Sequence, residues 1–203
     1  NDAPHIDGTV DFARMKASGA AFVILRASEG ARIDDDFNIF KTNSRGKIPR
    51  AVYHYWNNTI TPNEQVKALL AAIGDEKFEG RVWLDLENTA KGVYSKPRHW
   101  QEWMRLVEAY GYRTGVYTGY WYWNDYAVNS HEKTNLSYFY AHPLWQAWYT
   151  PQPANVKVAG RWKDLMIWQS SAMGGGLAAG TEGNDIDYNQ WNDAYDFADE
   201  WGG

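Results

Sequence analysis

The sequence predicts an α/β fold, an irregular TIM-like (β/α) barrel of about eight strands with several helices missing or reduced. Three observations carry that expectation. Short apolar or aromatic runs recur every 25 to 35 residues, capped helical patterns separate several of them, and those patterns thin out after residue 112. With 203 residues against the roughly 250 typical of such barrels, eight strands fit only if some helices shrink.

In chain order, one strand is expected near the N-terminus, then a short helix in "VDFARMKASG" (10–19) and a strand in "AAFVILRA" (20–27). "RAVYHYW" (50–56) is the next strand. "TPNEQVKALLAAIG" follows as a well-punctuated helix: Thr61 caps it, Pro62 takes the first helical position, Glu64 completes a capping box and Gly74 ends it. "RVWLDLE" (81–87) is a strand, and "SKPRHWQEWMRLVEAYG" is a helix whose Trp100, Trp103, Val107 and Tyr110 form one stripe closed by Gly111. Four more strand-length runs complete the set: "TGVYTG" (114–119), "PLWQAWY" (143–149), "DLMIWQS" (164–170) and "NDIDYNQW" (184–191). They are mostly continuous rather than alternating, as strands buried on both faces are. The Gly-rich "GGGLAAGTEG" (174–183) reads as a loop, and a single domain is expected over 1–203.

Composition narrows the function. A net charge of −5 with scattered Lys and Arg gives no footprint for a polyanion, so no nucleic-acid partner is expected. No run approaches the 18 or so apolar residues of a membrane span, and a monomer free of the membrane is expected. Zero cysteines exclude thiolate catalysis and disulfides. The five histidines stand apart, with no metal-ligand spacing, so no metal or cofactor is called for; His54, within a strand, reads as a hydrogen-bonded core residue. Twelve Trp and fourteen Tyr supply both core and flat surfaces suited to sugar rings.

Carboxylates carry the chemistry. In "GRVWLDLEN" (80–88), Asp85 and Glu87 lie two apart on a strand, so their side chains share a direction with Cα atoms roughly 6 to 7 Å apart. In a parallel barrel they aim into the mouth, at the C-terminal ends of the strands, while Leu84 and Leu86 pack under the helices. Two acids over one site can divide labour, one holding its proton and the other stabilising positive charge, as glycosidic cleavage requires. Helix capping or pairing with Arg is the alternative for so short a motif. "NDIDYNQW" adds Asp185 and Asp187, the N-terminus adds Asp2 and Asp7, and the strand ends around them are aromatic. Trp121, Trp123 and Trp148 are candidates for sugar stacking. Arg26 and Glu29 in "RASEG" could line the cleft or form an ion pair across it.

Taken in order, "DGTVDFARMKASGAAFVILRASEG", "AVYHYW", "WLDLEN", "GVYTGYWYW", "LWQAWY", "IWQ" and "DIDYN" resemble glycoside hydrolase family 25, the lysozymes that act as 1,4-β-N-acetylmuramidases. The resemblance implies Glu87 as general acid, with Asp85 orienting or stabilising the substrate's 2-acetamido group. It implies Asp187 as the acid of the last strand, and Asp2, nine residues before Asp11-Phe12, as that of the first; Asp7 is the alternative. Tyr53 in "VYHY" is implied in the cleft, and Tyr117, Trp121, Trp148 and Gln169, within the resembling motifs, are expected to bind substrate. Acids two apart on one strand suit substrate-assisted retention better than a nucleophile across the bond. The implied partner is bacterial peptidoglycan, and the implied setting extracellular or wall-facing, as a secreted enzyme or a phage lysin. A chitinase-like barrel is the enzymatic rival, but its D-x-x-D-x-D-x-E run would need acids where Gly80 and Trp83 stand. A carbohydrate-binding barrel without activity is the rival from another class.

Overall fold

The apolar runs at 82–86 and 114–119 become strands buried at every position, whereas 186–191 forms a strand that is only partly buried. The computed structural model describes residues 10–89, 96–128, 136–174, 176, 180, 181 and 186–202. Eight strands lie in one curled sheet: β1 (Val23–Glu29), β2 (Arg32–Ile33), β3 (Arg50–Tyr55), β4 (Val82–Leu86), β5 (Thr114–Gly119), β6 (Leu144–Ala147), β7 (Ile167–Gly174) and β8 (Ile186–Trp191). Their order is β2-β1-β3-β4-β5-β6-β7-β8, with β1 and β3 to β7 parallel. The expectation of a parallel sheet is corrected at its two margins, where β2 returns against β1 and β8 against β7. β2 is too short to leave an apolar run. The Gly-rich stretch before β8 has no room for a parallel crossover, which takes about a dozen residues or more.

Among the described residues seven α-helices accompany the sheet: α1 (Phe12–Ala17), α2 (Phe37–Ser44), α3 (Pro62–Ile73), α4 (Pro97–Ala109), α5 (Tyr120–Tyr122), α6 (Ser137–Tyr140) and α7 (Phe197–Trp201). A π-helical turn, Trp123–Ala127, continues α5. After α4 every helix is short, as the thinning pattern implies. α3 carries the capping box in full, Thr61 accepting from the Glu64 amide while Glu64 accepts from that of Thr61. In α4, Trp100, Trp103 and Val107 are buried as predicted, joined by Met104; Tyr110 is instead exposed, because the helix ends at Ala109. α2 was not predicted: it buries only Phe37 and Ser44, too weak a stripe to read. The strand expected near the N-terminus lies outside the described residues. Among the described residues no helix is long and apolar enough to cross a membrane.

Alternation along the strands divides the core in two. Val52, Leu84, Leu86, Val116 and Leu144 face outward, where Leu69 and Ile73 of α3 and the α4 tryptophans cover them. Ala51, Trp83, Tyr117, Trp145 and Ile167 fill the inside of the curl, which Trp201 of α7 plugs from below. The fit there is tight. A Cβ on Gly115 would lie 2.5 Å from the Trp83 ring, and one on Gly80 2.6 Å from that of Trp201. Glu200 secures the plug: its carboxylate accepts from Arg81 Nε at 2.9 Å and Nη2 at 2.6 Å, and pairs with Arg113 Nη1 at 3.1 Å.

His54 is the buried core residue expected. Gln65 Nε2 donates to the carbonyls of Asn57 and Ile60, so Gln65 Oε1 must accept from His54 Nε2, while His54 Nδ1 accepts from Ser28 Oγ at 2.8 Å. Burial lowers the imidazole pKa to about 4. The neutral ring therefore stabilises the fold fully above about pH 6.5, the unfolded value, and that stabilisation is lost as the pH falls towards 4. Urea unfolding from pH 7 to 4 should show the advantage of the parent over His54→Gln shrinking across this window, by roughly 3 kcal/mol.

Candidate active site

β4 aims its acids where the neighbouring strands are aromatic. Asp85 stands in register with Tyr55 of β3 and Tyr117 of β5, and it is 4 % exposed. Its Oδ1 is buried with no hydrogen-bond partner among the described residues. Glu87 follows the last residue of β4 and is half-buried. Its backbone is held from behind, because the carbonyl of Asn88 accepts from Asn58 Nδ2 and from the Tyr122 hydroxyl. Leu84 and Leu86 pack outward, as the alternation predicts.

Asp187 reaches the same mouth from the opposite strand direction. It is the second residue of β8, and because β8 runs antiparallel, its beginning lies at the end where the parallel strands finish. Gln169 of β7 connects the pieces: Nε2 donates to Asp187 Oδ2 at 2.9 Å, while Oε1 accepts from the hydroxyls of Tyr117 at 2.8 Å and Tyr149 at 2.9 Å. The Tyr117 oxygen is also 3.5 Å from Glu87 Oε2. Trp145 lies beneath, 4.4 Å from the Tyr117 ring centre and 6.1 Å from that of Tyr53.

The structure thus brings together Asp85, Glu87, Asp187, Tyr53, Tyr117 and Gln169. Trp121 stands 53 % exposed, edge-on to Tyr126. Trp148 is half-buried, edge-on to Tyr120 and packed against the outer core. Trp123 is wholly enclosed between Trp100, Phe139 and Trp162, which removes it as a sugar-stacking surface. Arg26 pairs with Asp34 at 2.7 Å rather than with Glu29. Asp2, Asp7 and Asp185 lie outside the described residues. Tyr55 and Tyr149 were missed. For Tyr149 the signal was present: Trp145, Ala147 and Tyr149 alternate, so all three share the inner face.

Electrostatically the mouth is crowded. Burial, reinforced by Glu87 and held back by Arg26, pushes the Asp85 carboxyl well above the usual range. Burial and then Asp187 raise Glu87, and the desolvating walls raise Asp187 itself. Three such acids titrate as a set, and the set holds its protons to higher pH than exposed carboxyls do. Asp85 ionised is therefore a cost to the fold. Asp85→Asn should raise the melting temperature at pH 7, and the gain should begin to shrink as the pH falls below the raised Asp85 pKa and vanish near the unfolded carboxyl value of about 3.9. A melting temperature that falls at pH 7 would contradict this.

A groove of about 650 Å³ runs beside the mouth between β1 and β8, with Ile24, Arg26, Asp34, Tyr53, Trp145 and Asp187 in its walls. It shares Tyr53, Trp145 and Asp187 with the acid cluster.

With this geometry in view, comparison with known proteins is decisive. The sequence profile described as Glycosyl hydrolases family 25 matches residues 1–175. The chain belongs to that family. It is a glycoside hydrolase. Among solved structures it resembles a muramidase from Trichobolus zukalii at 21 % identity, covering 100 % of this chain and 98 % of that one with a TM-score of 0.74. It also resembles a bacterial lysozyme from Streptomyces coelicolor at 21 % identity, covering 99 % and 95 % with a TM-score of 0.72. A third is the modular Cpl-1 endolysin, solved with a peptidoglycan analogue, at 15 % identity over 89 % of this chain and 49 % of that one, TM-score 0.60. No curated protein sequence matches. At these identities the structural neighbours establish the fold, which agrees with the predicted irregular barrel.

Proposed function

We propose that this glycosyl hydrolase family 25 enzyme is a lysozyme that hydrolyses the β-1,4 bond between N-acetylmuramic acid and N-acetylglucosamine in bacterial peptidoglycan. The observation that carries this is the pair at the end of β4: a buried Asp85 whose Oδ1 has no hydrogen-bond partner among the described residues, two residues before a half-buried Glu87 whose carboxyl burial and Asp187 raise above the usual range. The muramidase, lysozyme and endolysin structures that share the fold support peptidoglycan as the substrate. The setting that follows is wall-facing, reached by secretion or by phage lysis.

In the first step Glu87 gives its proton to the glycosidic oxygen as the C1–O bond breaks, and the substrate's acetamido oxygen attacks C1 to form an oxazolinium ion. Asp85 faces the acetamido group. Its carboxylate is unfavourable in the empty site but favoured once positive charge develops beside it, so its interaction strengthens in the transition state. In the second step Glu87, now a carboxylate, takes a proton from water, which attacks C1, reopens the ring and restores the acetamide with net retention. Asp187 lies across the mouth from Glu87 as a second stabilising charge, and Asp2 remains the candidate fourth acid on the family resemblance. Tyr53, Tyr117, Trp121 and Trp148 would line the path of the glycan, Trp121 offering its exposed face to a sugar ring.

The test is release of new reducing ends from purified peptidoglycan and from chitin, with the anomer of the earliest product read by NMR. Muramic acid at the new ends and a β product are expected. Cleavage of chitin alone would point to the chitinase-like alternative, and no cleavage of either to a binding barrel. An α product would overturn the substrate-assisted mechanism.

A further inference from the structure

Gln169 bears more weight than a substrate-binding side chain would. It is 2 % exposed, and both ends of its amide are engaged by protein groups. The direction of the amide follows from chemistry. Asp187 Oδ2, when ionised, can only accept, so the group 2.9 Å from it is Nε2 and the opposite end is the acceptor Oε1. Two phenols meet that oxygen, and each must bring its own proton. A phenol has only one. The Tyr117 proton lies on the 2.8 Å contact to Gln169, so toward Glu87 Oε2, 3.5 Å away, Tyr117 presents a lone pair. A lone pair repels a carboxylate and accepts from a carboxylic acid.

We propose that Gln169 is a positioning residue that couples Asp187 to Glu87: with Asp187 ionised, it orients Tyr117 so that Glu87 is held in the protonated form that begins the reaction. The inference rests on Glu87 being the general acid. Asp187 of β8 raises Glu87, and Asp85 of its own strand, Tyr55 of β3, Tyr117 of β5 and Tyr149 beyond β6 feel its charge in turn; a Tyr117 hydroxyl turned to donate to Glu87 would instead hold its carboxyl down. Arg26 of β1 acts on Asp85 and Tyr53. These neighbours set the general level of the Glu87 pKa. The relay through Tyr117 adds a sign that can be tested, because a Tyr117 that donated to Glu87 would lower the pKa and one that accepts raises it.

The experiment is a titration of the Glu87 carboxyl by ¹³C NMR, the resonance being assigned as the one absent from Glu87→Gln. It is run on the parent, Tyr117→Phe, Gln169→Leu and the double variant. Removing the acceptor oxygen in Tyr117→Phe should move the Glu87 titration down by about one pH unit. Gln169→Leu frees the Tyr117 proton to turn toward Glu87 and should also move it down. The double variant should show no more than the larger single effect. The alkaline limb of the kcat profile on peptidoglycan should shift in parallel, with KM little changed. An unchanged or raised titration in Tyr117→Phe, or single effects that simply add, would overturn the proposal. Tyr117→Phe keeps the ring against Trp145 and decides the sign even if Gln169→Leu fails to fold. Because the NMR titration needs no turnover, a parent that cleaves no peptidoglycan would count against the muramidase assignment and leave the relay to be judged by its own result.

Discussion

Glu87→Gln is expected to cut release of reducing ends from peptidoglycan by about 10² to 10⁴, a loss of roughly 3 to 5 kcal/mol of transition-state stabilisation. The amide keeps the shape of the side chain but has no proton to give to a departing oxygen. Because the proton moves only as the bond breaks, the loss should fall on kcat, with KM close to that of the parent. Folding should not suffer. The carboxyl is raised by burial and by Asp187, so its ionised form costs stability, and a neutral amide should leave the melting temperature unchanged or slightly higher. Activity within about threefold of the parent would remove Glu87 from the role of acid and turn attention to Asp187.

The second large effect lies at the other end of the barrel. Glu200→Ala is expected to destabilise the protein by about 3 to 5 kcal/mol, since it strands the largely buried Arg81 guanidinium and leaves the Arg81 amide, now bonded to Glu200 at 3.0 Å, without its acceptor. In a protein of this size that corresponds to a fall in melting temperature on the order of 10 °C. Differential scanning calorimetry and urea unfolding would measure it, and a loss below about 1 kcal/mol would show that Arg113 and water compensate. At 25 °C the surviving folded fraction should turn over normally, because the floor lies away from the mouth. The two substitutions therefore separate chemistry from stability at opposite ends of one sheet.

How much of this was legible depended on which physical rule wrote each residue. Strands β1, β3 to β7 and helices α3 and α4 were visible because burial on two faces and capping leave local marks; Thr61, Pro62 and Gly74 each mean something on their own. The common direction of Asp85 and Glu87 followed from the period of a strand. Asp187 was expected beside the other acids, where the structure brings it, but its place at the start rather than the end of β8 was not, since strand direction is set by a partner strand and the length of a connection. Tyr110 falls one residue beyond the end of its helix, because a stripe does not say where the helix stops. Trp123 could be read as stacking surface or as core, because a tryptophan reads alike whether it meets a sugar or three other rings. Gln169 was noticed in its motif, whereas its three hydrogen bonds draw on residues 18 to 52 positions away in the chain.

The plug at the barrel floor also bears on how the molecule comes apart. From β3 to β8 each strand pairs with its successor, so the sheet by itself is a chain of neighbours that could fray one unit at a time. α7 prevents that: Trp201 stacks on Phe22 at 4.4 Å, Glu200 grips Arg81 just before β4, and the carbonyls of Asp199 and Glu200 accept from Arg113 just before β5. Three distant units share one clasp. Loss of any of them loosens the others, which joins local openings into a single cooperative transition. Amides of β4 and β5 should therefore exchange with solvent at one common free energy, and in Glu200→Ala they should separate into independent steps.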